Sequence, residues 1–70
     1  HTFTDFPSRD AIAAALASGS VTFVDCTLDA ADLSRLDLRG SSFINCSIAE
    51  TSFYAAKLAQ TTWQRCRGRQ

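Results

Sequence analysis

A chain of 70 residues has room for one small domain, and seven Lys/Arg against seven Asp/Glu exclude both a global basic field for nucleic acid and a global acidic field imitating it. No apolar run nears the roughly 18 residues of a membrane-spanning helix, no signal peptide is visible, and three cysteines is an odd number for a secreted domain built on disulfides. The chain begins with His1 rather than Met, as an excerpt of a longer protein would.

Residues 1–20 read as an N-terminal segment with a capping helix. Ser8 is placed to be the N-cap, Asp10 sits in the first turn where the helix dipole favours an anion, and Gly19 is placed to close the helix in the left-handed conformation. Between them runs Ala11-Ile12-Ala13-Ala14-Ala15-Leu16-Ala17, rich in the best helix former. Ile12 and Leu16 share a face that can sit on whatever follows, with Phe3 and Phe6 as extra apolar cover. Two large apolar residues without a basic face make a poor membrane-binding helix.

From Phe23 onward every fifth residue is large and apolar: Phe23, Leu28, Leu33, Leu38, Phe43, Ile48, Phe53, Leu58 and Trp63. Against a background of roughly 45–50% apolar residues, nine in a row has a chance of about one in a thousand. Two residues before each centre lies a second, mostly small series: Val21, Cys26, Ala31, Leu36, Ser41, Cys46, Thr51, Ala56, Thr61 and Cys66. A period of five fits neither the 3.6 of a helix nor the 2 of a strand. It does fit one side of a square coil that points one large and one small side chain inward, so that four sides make a coil of about twenty residues stacked at the roughly 4.8 Å spacing of strands.

The segments Ala31-Asp32-Leu33-Ser34-Arg35, Ser41-Ser42-Phe43-Ile44-Asn45, Cys46-Ser47-Ile48-Ala49-Glu50 and Ala56-Lys57-Leu58-Ala59-Gln60 resemble the pentapeptide-repeat proteins. The resemblance covers residues 21–70 and implies an all-β solenoid, a right-handed quadrilateral β-helix of about two and a half coils, behind the N-terminal capping α-helix. Two positions depart from the pattern. Leu36 is bulky where the family prefers Ala, which suggests a locally wider coil. Gly68 stands where a tenth apolar centre belongs, which suggests that the last half coil frays or that the chain continues in another way.

Residues twenty apart should lie above one another, which stacks Phe23, Phe43 and Trp63 into an internal aromatic ladder. Cys26, Cys46 and Cys66 fall in one inward column. In-register neighbours at strand spacing leave Cβ atoms too far apart for an undistorted disulfide, and a zinc site would need four converging ligands. Reduced thiols acting as small core residues follow, with no metal or cofactor, and a cytoplasmic or otherwise reducing compartment suits them.

No Ser/His/Asp arrangement, phosphate-cradling glycine loop or metal spacing occurs, so no catalytic residue is assigned. The candidate interaction surface consists of outward Val24, Ile44 and Tyr54 and the basic Arg65, Arg67 and Arg69. Charge is uneven along the chain: residues 1–50 hold seven acids and three bases, residues 51–70 no acid and four bases. In a solenoid this becomes an axial dipole able to orient a protein contact. The open C-terminal coil can pair end to end with another subunit. The resemblance implies a non-catalytic interaction or targeting scaffold with a protein partner, within a larger bacterial protein such as an effector secreted into a host cell, and no nucleic-acid or membrane partner. Its alternative is a DNA-mimicking, gyrase-binding protein of the quinolone-resistance type, which calls for a long acidic rod.

Overall fold

The computed structural model describes residues 1–68 of the chain. The elements are β1 (Thr2–Asp5), α1 (Arg9–Leu16), β2 (Thr22–Cys26), β3 (Ser42–Ile44) and β4 (Thr62–Gln64), and the four strands form one parallel sheet in the order β1-β2-β3-β4. Thr22 pairs with Ser42 and Ser42 with Thr62, so the register advances by twenty residues per strand. The same offset recurs in single bridges, Thr27 to Ser47 to Arg67, Asp32 to Ser52 and Asp37 to Lys57. Backbone hydrogen bonds between layers run all around the chain, from Leu28 N–H to the Ser47 carbonyl (2.7 Å), Leu33 to Ser52 (2.9 Å) and Leu38 to Lys57 (2.9 Å). This is a β-solenoid.

Between the bridged segments the chain turns at a residue in the left-handed region. Asp25, Ala30, Arg35, Gly40, Asn45, Glu50, Ala55, Gln60 and Arg65 all have φ between 53° and 78°. An L-residue there costs roughly 1–2 kcal/mol, and only one of these corners is a glycine. The strain is held by the interlayer hydrogen bonds on either side of each corner.

The core is the expected series of inward side chains, but its burial is graded along the axis. Phe23, Leu28, Leu33, Leu38 and Phe43 are at most 1% exposed. Ile48, Phe53 and Leu58 are only partly buried, and Trp63 is 37% exposed. Phe23 and Phe43 stack at 4.6 Å between ring centroids, and Phe43 and Trp63 at 4.1 Å with planes 5° apart. Trp63 is therefore in the ladder but only partly covered, because no described residue lies above it.

The N-terminal end differs from the sequence expectation in a useful way. Phe3 is more than cover: β1 pairs parallel with β2, Phe3 against Phe23, and their rings stack at 5.6 Å. Asp5 ends β1 with φ 64°, the same corner conformation as Asp25 and Asn45. The sheet thus begins one layer before the uninterrupted repeat. Phe6 provides no cover and is 78% exposed, because the chain leaves the solenoid after Asp5.

Helix α1 lies on the first layer. Ser8 is the N-cap, its Oγ accepting from the Ala11 N–H at 3.1 Å, and Asp10 occupies the first turn. Ile12 (0% exposed) and Ala15 face the core, with Leu16 at the edge of that contact. The Arg9 guanidinium donates to the carbonyls of Asp32 and Ser34, each at 2.8 Å, and fixes the helix start beneath that side of the coil. Gly19 does not take the αL conformation expected of it. The helix ends at Leu16, and Gly19 has φ 131°, a conformation that side chains rarely adopt, used here to return the chain to Val21.

Candidate interaction surface

The outward residues of the sheet form a first surface. Val24 pairs with Ile44 and Ile44 with Gln64 in register, so the two aliphatic side chains sit side by side on the outer face, each partly exposed. Tyr54 lies at the surface, 71% exposed, following the bridge at Ser52. Arg65 and Arg67 are exposed at the last described layer, whereas Arg69 lies outside the described residues. The sequence therefore places these residues outward, but on separate parts of the coil rather than in one patch.

Next to them runs a column of corner residues, Asp25, Asn45 and Arg65. Asn45 Nδ2 donates to Asp25 Oδ1 at 2.7 Å, and Arg67 reaches Asn45 Oδ1 at 3.4 Å. Asp25 and Asn45, twenty residues apart in this column, are thus in direct contact, while Asn45 is met from the next layer by Arg67. A second tie joins layers at Asp29, whose Oδ1 accepts from Ser47 Oγ (2.6 Å) and the Ala49 N–H (3.0 Å). On the adjacent sides, Asp37 takes two hydrogen bonds from the Arg39 guanidinium, which hold its carboxyl down at about 2, and Asp32 is lowered mainly by the Ser34 hydroxyl.

The cysteines occupy one inward column, all with free thiols. Each thiol donates to the carbonyl 23 residues earlier, Cys26 to Phe3 (3.3 Å), Cys46 to Phe23 (3.5 Å) and Cys66 to Phe43 (3.3 Å). Thr51 does the same to Leu28 at 2.6 Å. The small inward position thus holds a weak donor that satisfies a carbonyl of the layer below, a use of Cys that spacing alone does not reveal. Burial pushes Cys26 up to about 11 and raises Cys46 as well, so both are poor nucleophiles. Among the described residues, no group of three or more His, Cys, Asp or Glu could hold a metal ion. No helix of the described residues is long and apolar enough to cross a membrane.

The sequence points to an open C-terminal coil, but not to the hollow that the structure shows there. Ile48, Phe53, Leu58, Trp63, Cys66 and Gly68 surround an open hollow of 710 Å³, with Glu50 and Thr51 at its rim. Gly68 contributes by omission. A Cβ there would lie 2.6 Å from Ile48 Cγ1, so with Ile48 placed as it is no larger residue fits at this position. As far as it is described, the last half coil keeps its pairing through Arg67, whose carbonyl accepts from the Ile48 N–H at 2.6 Å, and the rest of it lies outside the described residues. The signal in the sequence was that interruption, legible as a missing residue but not as a cavity.

A family model for pentapeptide repeats matches residues 23–60 as eight copies. No curated protein and no solved structure matches the chain. The matched segment starts at the first buried aromatic of the ladder and ends at the corner before β4, so the region that the family describes is the region where the twenty-residue register is complete. With more than half of its residues matched and its inward ladder, layer register and corners all repeating on multiples of five, the chain belongs to the pentapeptide-repeat family.

Proposed function

We propose that the chain is a rigid, non-catalytic protein-interaction module, a right-handed quadrilateral β-helix of about two and a half coils working as a docking or targeting scaffold within a larger bacterial protein, of which a secreted effector is one form. The observation that carries this reading is the separation of roles around the coil. Ladder and thiols are inward and chemically quiet, whereas Val24 and Ile44 on one side of the coil and Tyr54 on another stand outward on a backbone fixed by interlayer hydrogen bonds. A rigid backbone presents such side chains with little ordering cost on binding. The open C-terminal coil is a second contact, suited to self-association. Gyrase mimicry has the net charge of zero against it.

A photo-crosslinking residue at Tyr54 or Ile44, introduced in the native host, tests the scaffold. A discrete adduct from these positions and none from Ala30 is the expected result. Equal, diffuse labelling from all three, or no adduct from any, overturns the assignment of these outward residues to a partner.

A further inference from the structure

Cys26, Cys46 and Cys66 make the one small inward column that keeps a single residue type from layer to layer. The side before it reads Val21, Ser41 and Thr61, and the sides after it pair Ala31 with Thr51 and Leu36 with Ala56. Satisfying a carbonyl of the layer below does not call for sulfur, since the Thr51 hydroxyl does so for Leu28 at 2.6 Å. Packing and hydrogen bonding therefore leave the repetition of Cys unexplained.

The sulfurs repeat by translation along the axis. Each Sγ is held by the same two carbonyls, the one 23 residues earlier at 3.3–3.5 Å and the one 2 residues earlier at 3.4–3.6 Å. Successive layers are one strand apart, so neighbouring sulfurs stand roughly 4.8 Å from each other. That is far beyond the roughly 2.0 Å of a sulfur–sulfur bond. It is close to the span of two metal–sulfur bonds in line, about 4.6 Å at roughly 2.3 Å each. The geometry points to a linear, two-coordinate site for monovalent copper between Cys26 and Cys46.

The shape of the column selects the ion. An ion lying between two members of a straight column has the third sulfur about 7 Å away on the same spacing, so it receives two thiolates and no more. Zinc, which takes four ligands, is left unsatisfied, whereas a soft monovalent cation favours thiolate and is complete with two. The pair is also dry. Cys26 and Cys46 are 2% and 0% exposed and share a buried cluster with Phe23, Leu28 and Phe43, which keeps water from adding a ligand. Cys66 is only partly buried, so the Cys46–Cys66 gap lacks this protection.

Binding breaks two S–H bonds and forms two Cu–S bonds. Both protons pass to solvent, and the copper keeps its oxidation state. A coordinating thiol is deprotonated outright by its metal, so thiols that are poor nucleophiles still serve as ligands. The complex carries one negative charge. The Cys26 N–H, whose hydrogen bond to the Cys46 sulfur favours the thiolate, helps to offset it. Because both sulfurs are buried, copper enters only through local opening, and once bound it ties β2 and its layer to the layer of β3. The site lies inside the coil and is independent of the outward residues assigned to a protein partner.

The experiment is an anaerobic titration of the reduced 70-residue chain with monovalent copper, in competition with the chromophoric chelator bicinchoninate. It is run beside Cys26→Ser, Cys46→Ser and Cys66→Ser, with circular dichroism confirming that each is folded. Serine suits the position, since Ser41 is fully buried at the matching place on the preceding side. One copper per chain is expected. Cys46→Ser leaves two sulfurs about 9.6 Å apart and should weaken binding at least about a hundredfold. Cys26→Ser forces the ion onto the wetter Cys46–Cys66 pair and should weaken it about tenfold, while Cys66→Ser leaves it unchanged. X-ray absorption at the copper edge of the unaltered chain should show two sulfur neighbours and no nitrogen or oxygen, a result that does not depend on any variant folding. A chain that takes no copper from the chelator overturns the site. So does a third ligand in the absorption spectrum, or an equal partial loss in all three variants, which would mean separate thiols acting singly. Loss in Cys66→Ser with Cys26→Ser silent overturns the pair named here.

Discussion

Phe43 and Trp63 hold the same place in successive layers and stack on each other, yet the first is 0% and the second 37% exposed. Phe23, one layer further toward the N-terminus, is as buried as Phe43 because Phe3 of β1 lies against its ring and α1 closes the coil beside it. The repeat dictates which way a side chain points. Whether that side chain is removed from water depends on what lies above and below it, and this differs between the two ends. In a quasi-one-dimensional fold, stability is a sum of layer contacts, and an end layer has half of them.

The sharpest way to break this comparison is to remove the aromatic ring at each level. Phe43→Ala should cost about 3–5 kcal/mol, as for other fully buried aromatic rings, and Trp63→Ala less than half as much, measured by urea denaturation at low protein concentration. Equal costs would mean that the C-terminal end is covered in solution.

The thiols sharpen the same contrast without altering the fold. Cys66, part-buried at the hollow, should react first with a maleimide or disulfide reagent, and Cys26 and Cys46 only at the rate of local opening. Because the folded Cys26 thiol titrates near 11 and the unfolded one near 9, the unfolded state loses its proton first as the pH rises. The folded state is then the one holding the extra proton, and stability falls between about pH 9 and 11. Cys26→Ala should flatten that fall; an unchanged slope would place its origin in another group.

The smallest effect concerns the corners. Ala14→Gly in the exposed face of α1 should cost about 1 kcal/mol. Ala55→Gly, at φ 58°, should be neutral or stabilising by up to about 1 kcal/mol, since glycine relieves the left-handed strain while adding freedom to the unfolded chain. A matching loss at both sites would show that the corner is not strained.

The ladder was legible because the period of five involves large side chains, and Phe23 to Trp63 leave few alternatives to a coil. β1 was not, although Phe3 lies twenty residues before Phe23: residues 6–20 fold as α1 and its connections, so the period is broken between the two. The corners were not legible either. Asp, Ala, Arg, Gly, Asn, Glu and Gln all occupy them, because the interlayer hydrogen bonds, rather than the intrinsic preference of each residue, impose the conformation. The hollow depended on Ile48 and Gly68 meeting across a layer, a contact between residues that the repeat aligns but whose sizes it does not set.

The twenty-residue register also governs how such a chain tolerates changes in length. Loss of one residue between Thr27 and Arg65 would put every later centre out of phase. Loss of five would preserve the inward pattern but rotate everything beyond it by a quarter of a coil, carrying Arg65 out of line with Asp25 and Asn45. Only deletion or duplication of a full twenty leaves both ends facing as they do now, so this molecule can be lengthened or shortened in whole layers, and in no smaller unit, without changing what its two ends present.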